Sequence, residues 1–251
     1  MTIKNSQWKL EHIWLIVITF TIAILTLYQA YAVPGGAGVI YVANETSNGS
    51  DPTGYNDSGG YIYHSNLDVT QQNSNWKAYV GNVTGSFTLD DSNGDTIYNW
   101  ESLGGGNVGE VYASRNDTVT WADINCSNDT YIEYEDEYFG FDQDRSDSIN
   151  STFNDSTHQA FQVGTTTITA NTCYAGILFR NDTAQVNSTS APWQEIILTD
   201  EINLVYAGII EDAEYAYSAS SDKNVTADFQ LLIPENGTRA VATTYYFYVE
   251  I

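Results

Sequence analysis

The stretch SFTLDDSNGDTIYNW, Ser86 to Trp100, has two runs of strand-forming residues on either side of a polar turn. Asn93 and Gly94 lie at its centre, and this dipeptide readily takes the positive φ angles that a tight hairpin turn needs. Thr, Ile, Tyr, Phe and Trp, which fill the flanking runs, are residues that strands favour. The stretch therefore predicts a β-hairpin.

Similar turn signals recur along the chain and separate short apolar runs, at intervals typical of a sandwich or a barrel. The last run, VATTYYFYVEI, alternates between two faces. One face carries Tyr245, Phe247, Val249 and Ile251, and the other carries Thr244, Tyr246, Tyr248 and Glu250. We predict strands at residues 38–44, 60–69, 76–89, 96–100, 110–114, 118–124, 160–163, 165–170, 173–180, 195–199, 202–210, 224–233 and 239–251.

Helical spacing occurs at residues 129–139, where Tyr131, Tyr134 and Tyr138 share one face and Asn128 precedes as a cap. The pattern as a whole predicts an all-β fold, a two-sheet β-sandwich of roughly 10–13 strands. We expect it to occupy residues 60–251, after a flexible segment at 33–59 that carries one strand.

The N-terminus begins with two lysines followed by the uncharged run IWLIVITFTIAILTLY, residues 13–28. Ala30-Tyr31-Ala32 then gives the A-x-A pattern of a signal-peptidase site. We predict that residues 1–32 form a hydrophobic signal helix and that cleavage follows Ala32. The alternative is an uncleaved membrane anchor, since residues 13–33 are just long enough to span a bilayer. Either arrangement places the rest of the chain outside the cytoplasm.

The 251 residues carry 32 acidic and 8 basic side chains, a formal charge of −24. Such a surface repels phosphate backbones, so nucleic acid is excluded as a partner. Divalent cations, ionic surroundings or acidic surroundings would all make the charge tolerable, and an acidic surface also keeps a protein soluble. The composition leaves these alternatives open.

Two cysteines, Cys126 and Cys173, are all that the chain contains. In an exported protein they are expected to form one disulfide, which by the chain-entropy relation contributes roughly 4 kcal/mol. Without a histidine cluster nearby they make a poor zinc site.

Thirteen of the 22 asparagines stand in N-x-[S/T] sequons, far more than chance placement of Ser and Thr produces. Each sequon in an exported chain marks an expected N-glycan on a surface loop. The predicted glycosylation sites are Asn44, Asn48, Asn56, Asn82, Asn116, Asn125, Asn128, Asn150, Asn154, Asn181, Asn187, Asn224 and Asn236.

The sequence contains few histidines and cysteines, residue types that catalysis commonly uses. His64 and His158 are the only histidines beyond the leader, and no nucleophile elbow, Walker loop or zinc-peptidase motif occurs. We predict that the protein is not an enzyme and needs no cofactor. A carboxylate-dependent glycoside hydrolase is the remaining enzymatic alternative, because that chemistry needs only two acids at the right separation.

Two acidic stretches imitate cation sites. The first resembles the start of a calcium loop but lacks its glycine and its final glutamate. A hairpin turn accounts for the second. We therefore predict no metal site. The residues concerned are Asp142, Asp144, Ser146 and Asp147 in the first stretch, and Asp90, Asp91, Asn93 and Asp95 in the second.

The mature N-terminus has the apolar residues Val39, Ile40, Tyr41 and Val42 behind the flexible spacer PGGAG. A strand this apolar needs a sheet. It either pairs within its own sandwich or fills the open edge of a neighbouring copy by β-augmentation. In the second case a contact that does not close propagates head to tail into a fibre.

The sequence A-Y-A-V-P-G-G, the short apolar strand after it and the density of sequons resemble archaeal extracellular thread and bundling-pilus subunits. The resemblance is one of arrangement over the mature chain. It implies a glycosylated homopolymer that assembles by donor-strand complementation and mediates adhesion, with Val39–Val42 as donor. The leader is longer and more anchor-like than a minimal signal peptide.

These observations predict an extracellular or cell-surface glycoprotein with a structural or adhesive role. Its expected partners are copies of itself, its own N-glycans and cell-surface glycans, with membrane contact only through an uncleaved leader. The alternative is a monomeric carbohydrate-binding module that uses exposed Tyr and Trp, of which the chain has 19 and 6.

Overall fold

The computed structural model describes residues 33–46, 51, 59–60, 62, 66–67, 73–104, 109–210, 215–218, 226–235 and 242–250. These residues form mostly antiparallel strands with few helices, so the all-β prediction is confirmed. The helices within the described ranges are α1 (Asp129–Phe139) and α2 (Ile149–Thr152), with a short 3₁₀ turn at Trp121–Asp123. Neither helix combines the length and the apolar composition that crossing a membrane requires, and the predicted leader lies outside the described residues.

The strands of the described residues are β1 (Gly35–Gly36), β2 (Trp76–Gly81), β3 (Thr84–Asp90), β4 (Thr96–Gly104), β5 (Val111–Ser114), β6 (Asn125–Cys126), β7 (Phe161–Val163), β8 (Thr166–Ile168), β9 (Ala175–Gly176), β10 (Phe179–Arg180), β11 (Thr183–Ala184), β12 (Glu195–Thr199), β13 (Leu204–Gly208), β14 (Phe229–Pro234) and β15 (Tyr246–Val249). Seven of them build a central sheet in the order β1-β15-β5-β13-β12-β6, with β9 also pairing with β12. The pairs β2–β14, β3–β4, β7–β8 and β10–β11 form separate two-stranded sheets.

The middle of the central sheet is fixed by the turn between β12 and β13. The carboxylate of Asp200 accepts hydrogen bonds from the backbone N–H groups of Ile202 (3.1 Å) and Asn203 (2.6 Å). This short connection sets the register, in which Ile197 lies opposite Tyr206. The pairing of the two strands is therefore determined locally.

The central sheet is buried on both faces. Val205 and Ala207 pack with residues of β7, β8 and the disulfide. Tyr206, on the opposite face, packs with Ile132 of α1 and Leu231 of β14. Covered on both faces, β12 and β13 need no alternation of polar residues, which explains their nearly continuous apolar sequence.

Helix α1 has the bounds that the sequence predicts. Asn128 caps its first turn, because its side-chain oxygen accepts from the N–H groups of the second and third helical residues. Gly140, in the left-handed region at φ 72°, ends it. Ile132 and Phe139 face the core, so the predicted tyrosine face is the outer face of the helix.

The predicted hairpin at Ser86 to Trp100 is confirmed as β3 and β4, with Gly94 at φ 87° in the turn. The long strand predicted at 76–89 is instead two strands, β2 and β3. The N–H of Val83 donates to the carboxylate of Asp228 (2.8 Å), which interrupts the ladder between them. A single apolar run can thus be divided by a side chain distant in sequence.

Three further strand predictions are wrong in extent. Residues 118–124 contain no strand, only the 3₁₀ turn at Trp121–Asp123, because the N–H of Thr120 donates to the carboxylate of Asp200. The predicted strand at 173–180 is broken into β9 and β10. In the predicted strand at 239–251, residues 242–245 form no strand and β15 begins at Tyr246, since the N–H of Thr243 donates to the carboxylate of Glu235; residues 239–241 lie outside the described residues. Most of the predicted strand at 60–69 lies outside the described residues.

Candidate assembly site at the N-terminal segment

The segment at residues 33–37 lies along the outer edge of the central sheet. Gly35 and Gly36 pair with Val249 and Tyr248 of β15, and the N–H of Ala37 donates to the carbonyl of Phe247 (2.8 Å). Pro34, just before them, is buried. The segment is thus attached through a short run of backbone hydrogen bonds and one proline.

The glycines give this edge a weak occupant. A Cβ built on Gly35 or on Gly36 would meet no atom within 4 Å, so the positions could hold side chains that the sequence does not supply. Glycine also loses more conformational freedom than other residues when it enters a strand. The edge of β15 therefore gains little from β1 beyond the backbone bonds.

The predicted donor residues follow immediately. Val39, Ile40, Tyr41 and Val42 are 61%, 88%, 70% and 91% exposed. The described residues 37–46 contain no strand, so the predicted strand at 38–44 is wrong for the single chain. A strand forms only against a hydrogen-bonding partner, and within the described part of this chain these four residues have no ladder to join.

A second exposed β-surface is the hairpin of β3 and β4. Leu89, Ile97 and Tyr98 are at least half exposed on it. An isolated two-stranded hairpin is only marginally stable in water, and a third strand or a packing partner raises its stability. The hairpin and the Val39–Val42 segment are thus two exposed apolar surfaces on the same molecule.

The two cysteines are joined in a disulfide, as predicted. Cys126 ends β6 at the far edge of the central sheet, and Cys173 is fully buried beside β9. Both short strands pair with β12. The bond therefore ties together the two pieces that close this edge of the sheet.

Seven of the predicted glycosylation sites have exposed side chains, which is the geometry that attachment of a sugar requires. Asn116 and Asn187 are half-buried, and four sites lie outside the described residues. The exposed seven are Asn44, Asn82, Asn125, Asn128, Asn150, Asn154 and Asn181; the four outside are Asn48, Asn56, Asn224 and Asn236.

At Asn128 the side chain has two possible uses. Its Oδ1 accepts the capping hydrogen bonds of α1 from the N–H groups of Thr130 (3.0 Å) and Tyr131 (3.4 Å). The atom that carries an N-glycan is Nδ2, which the cap does not use. Capping and glycosylation are therefore compatible at this residue.

Of the two histidines beyond the leader, His64 lies outside the described residues and His158 is fully buried. Nε2 of His158 accepts from the N–H groups of Thr172 (3.1 Å) and Cys173 (3.0 Å), so Nδ1 is the donor to the carbonyl of Gln159 (2.7 Å). Burial lowers the pKa of its imidazole. His158 is therefore a neutral ring whose two nitrogens both form hydrogen bonds with backbone groups, and its role is to hold a loop in place.

Two carboxyl groups meet around one phenol, a cluster that the sequence did not reveal. The hydroxyl of Tyr112 lies 3.0 Å from Glu250 Oε2 and 3.4 Å from Glu110 Oε2. Burial, and then the neighbouring Glu250, raise the pKa of Glu110 to about 8. Because the Tyr112 oxygen fills the space between the two carboxyls, a glycosidic bond has no room there.

Glu195 is a further buried acid that sequence reasoning missed. It lies at the start of β12, fully buried, and its Oε2 accepts from the N–H of Leu232 in β14 (2.8 Å). Burial raises the pKa of this carboxyl. The available sequence signal was an acid next to the apolar run IILT, in a strand with both faces covered.

The two acidic stretches hold loop structure. The carboxylate of Asp91 accepts from the N–H groups of Asn93 (2.8 Å) and Asp95 (3.0 Å) in the hairpin turn. Asp147 accepts from Asn75 (3.0 Å) and pairs with Arg145. Within the described ranges, no three acidic, histidine or cysteine side chains are grouped so as to hold a metal ion.

Comparison of the chain with family models, with curated proteins and with solved structures gives no match.

Proposed function

We propose that this chain is an exported, glycosylated and non-catalytic β-sandwich protein of the cell surface, with a structural or adhesive role, and that it assembles with copies of itself through Val39–Val42. The observation that carries the proposal is the exposure of these four strand-forming residues beside a sheet edge that two glycines occupy.

Burial of apolar side chains supplies the driving force. Fully burying a Val or Ile side chain stabilises by about 1.5–3 kcal/mol, and each of the four is more than half exposed in the single chain. A second copy offers the edge of β15, which only the glycines of β1 occupy, and the β3–β4 hairpin. Edge pairing would satisfy the backbone and bury the side chains in one step.

Export is supported by the leader sequence, by the disulfide and by the exposure of seven sequon asparagines. The N-glycans are covalent partners, and contact with the membrane is limited to the leader where it is retained. The acidic surface argues against nucleic acid. The non-catalytic assignment draws on the backbone role of His158 and on the filled space between Glu110 and Glu250.

The test is negative-stain microscopy of the protein exported by its own cells, with and without Ile40→Asp. Wild type should form chains or fibres, and Ile40→Asp should leave folded single particles. Val186→Asp is the matched control, because Val186 is 85% exposed and Ile40 88%, so each variant places the same new charge in water. It should assemble like wild type.

Compact single particles of wild type at high protein concentration would contradict the assembly proposal. Equal loss of assembly in Ile40→Asp and Val186→Asp would show that added charge, and not the N-terminal segment, is responsible. A melting temperature measured for each variant separates loss of assembly from loss of folding.

A further inference from the structure

A surface pocket of about 220 Å³ lies between the outer face of α1 and the turn from β12 to β13. Its volume is below the roughly 300–1,000 Å³ of pockets for drug-sized ligands, and suits a ligand the size of one sugar ring. Its lining combines aromatic rings with polar groups. Its lining includes Arg115, Asn116, Tyr131, Tyr134, Ile202 and Asn203.

The polar floor of the pocket is held rigidly. Nε of Arg115 donates to Oε1 of Glu135 (2.7 Å) and Nη2 donates to Oε2, a bidentate pair in which Glu135 is buried. The guanidinium also stacks on the ring of Tyr138, 3.6 Å from its centre. A guanidinium has five N–H donors, so Arg115 has donors beyond the two that Glu135 accepts.

The amide side of the pocket is equally ordered. Asn203 donates through Nδ2 to the carboxylate of Asp200 (3.1 Å), while its Oδ1 accepts from Nδ2 of Asn116 (3.2 Å). The amide groups are thereby fixed in place before any ligand arrives. Preorganised donors and acceptors reduce the entropy lost on binding.

The aromatic side is formed by Tyr131 and Tyr134, which lie three residues apart on α1 and so share one face. Tyr134 is 64% exposed, and Ile202 across the pocket is 76% exposed. An exposed ring beside fixed polar groups is suited to a ligand with an apolar face and hydroxyls at its rim. A pyranose has both.

Charge narrows the ligand class. Glu135 neutralises Arg115 within the pocket, and the chain as a whole carries −24. The negative surface would repel an acidic sugar. Because Glu135 already neutralises Arg115, the charge of Arg115 would not offset this repulsion. The pocket therefore favours an uncharged sugar.

We propose that this pocket binds one uncharged sugar ring, which stacks on Tyr134, accepts hydrogen bonds from Arg115 and donates its hydroxyls to the side-chain oxygens of Asn116 and Asn203, each of which has a second lone pair. The sugar has two possible sources. Asn116 is itself a sequon residue in the lining, so its own glycan would begin at the pocket. A glycan of another molecule would enter from solvent.

The experiment uses the full glycoprotein and the methyl glycosides of glucose, galactose, mannose and N-acetylglucosamine, with binding measured by saturation-transfer NMR. Thr118→Ala removes the Asn116 sequon. Thr118 is exposed, and its backbone N–H, which Asn116 Oδ1 accepts, is retained. Tyr134→Ala and the matched control Tyr98→Ala, another exposed tyrosine on β4, are each made in this background.

We expect Thr118→Ala to bind at least one glycoside at millimolar concentration. Tyr134→Ala should weaken that binding about tenfold, the loss expected for a stacked ring, and Tyr98→Ala should leave it unchanged. Binding by Thr118→Ala but not by wild type identifies the Asn116 glycan as the natural occupant. Equal binding by both identifies a sugar from another molecule.

Two results would overturn the proposal: no binding of any of the four glycosides by Thr118→Ala, or equal binding by Tyr134→Ala and Tyr98→Ala. Since Tyr134 is an exposed side chain, its truncation should not alter the melting temperature. That measurement, made on every variant, keeps a folding defect from being mistaken for loss of the site.

Discussion

Strand β13 and the segment Val39–Val42 have nearly the same kind of sequence, LVYAG and VIYV, but opposite environments. Val205 and Tyr206 in β13 are fully buried, whereas Ile40 is 88% exposed. Apolar composition alone therefore does not decide burial in this chain. Burial depends on whether neighbouring strands offer backbone hydrogen-bond partners.

The difference arises from what flanks each segment. Strand β13 follows β12 through a tight turn held by Asp200 and pairs on its other side with β5. Val39–Val42 instead follows a glycine spacer and precedes a sequon at Asn44. One segment finds both partners within its own fold, and the other finds none among the described residues of a single chain.

The packed region, meaning the central sheet around β12 and β13, should depend on the disulfide more than on any other feature for its stability. Replacing both Cys126 and Cys173 by serine should lower the free energy of unfolding by about 4 kcal/mol, because the bond closes a loop with a sequence separation of 47. Urea unfolding of the two proteins measures this. Wild type treated with a thiol reductant is the control and should fall by a similar amount. A change below about 1 kcal/mol would mean that the far edge of the sheet holds without the bond.

Truncation of one buried aliphatic side chain in the central sheet should have the next largest effect on stability. Ile197→Ala should lower the free energy of unfolding by about 3 kcal/mol, since Ile197 is fully buried at the centre of β12 and a cavity would remain. The same urea measurement applies. Little or no loss would show that the layer formed by α1 and β14 can collapse onto the gap.

The buried acids should make the packed region sensitive to alkali. The pKa of Glu110 is raised from 4.5 to about 8 in the folded state. The folded state therefore binds this proton more tightly, and the resulting stability is complete below about pH 4.5 and is lost as pH rises through about 8. Glu110→Gln should reduce the loss of stability between pH 5 and pH 9 by on the order of 2 kcal/mol.

Thermal unfolding at a series of pH values tests the effect of Glu110. Glu133→Gln on the exposed face of α1 is the control and should follow wild type. A pH profile of Glu110→Gln that parallels wild type would assign the alkaline loss to Glu250 or Glu195 instead.

The exposed segment should contribute least. Ile40→Ala should change the free energy of unfolding by less than about 0.5 kcal/mol, because its side chain is already in water. In the same protein, assembly followed by light scattering should weaken. A stability loss close to that of Ile197→Ala would show that the segment packs within its own chain. Val39–Val42 would then be buried like β13.

Features governed by nearby residues could be predicted from the sequence. The bounds of α1 follow from the cap at Asn128 and the glycine at 140, and the first hairpin follows from Asn93-Gly94. Strand β12 has its predicted limits because polar turns flank an apolar run. These signals act over a few residues and do not depend on the rest of the fold.

Features governed by distant contacts could not be predicted. Asp228 interrupts the strand at Val83, 145 residues away, and Asp200 turns the chain at Thr120, 80 residues away. The sugar-sized pocket likewise unites Arg115, Tyr134 and Asn203, which no local pattern connects. The sequence showed that the tyrosines of α1 share one face of the helix. It did not show that this face points outward, because that depends on which face of α1 packs against the sheet.

The capping role of Asn128 has a practical consequence if the same side chain carries the proposed glycan. Amidases that strip N-glycans hydrolyse the attachment and leave aspartate. At this position the new carboxylate would lie at the positive end of a helix dipole, where an anion is favourable. Enzymatic removal of the proposed glycan from Asn128 would therefore strengthen one helix while it removes a sugar, so protein treated in this way would be no neutral reference for the effect of the glycan.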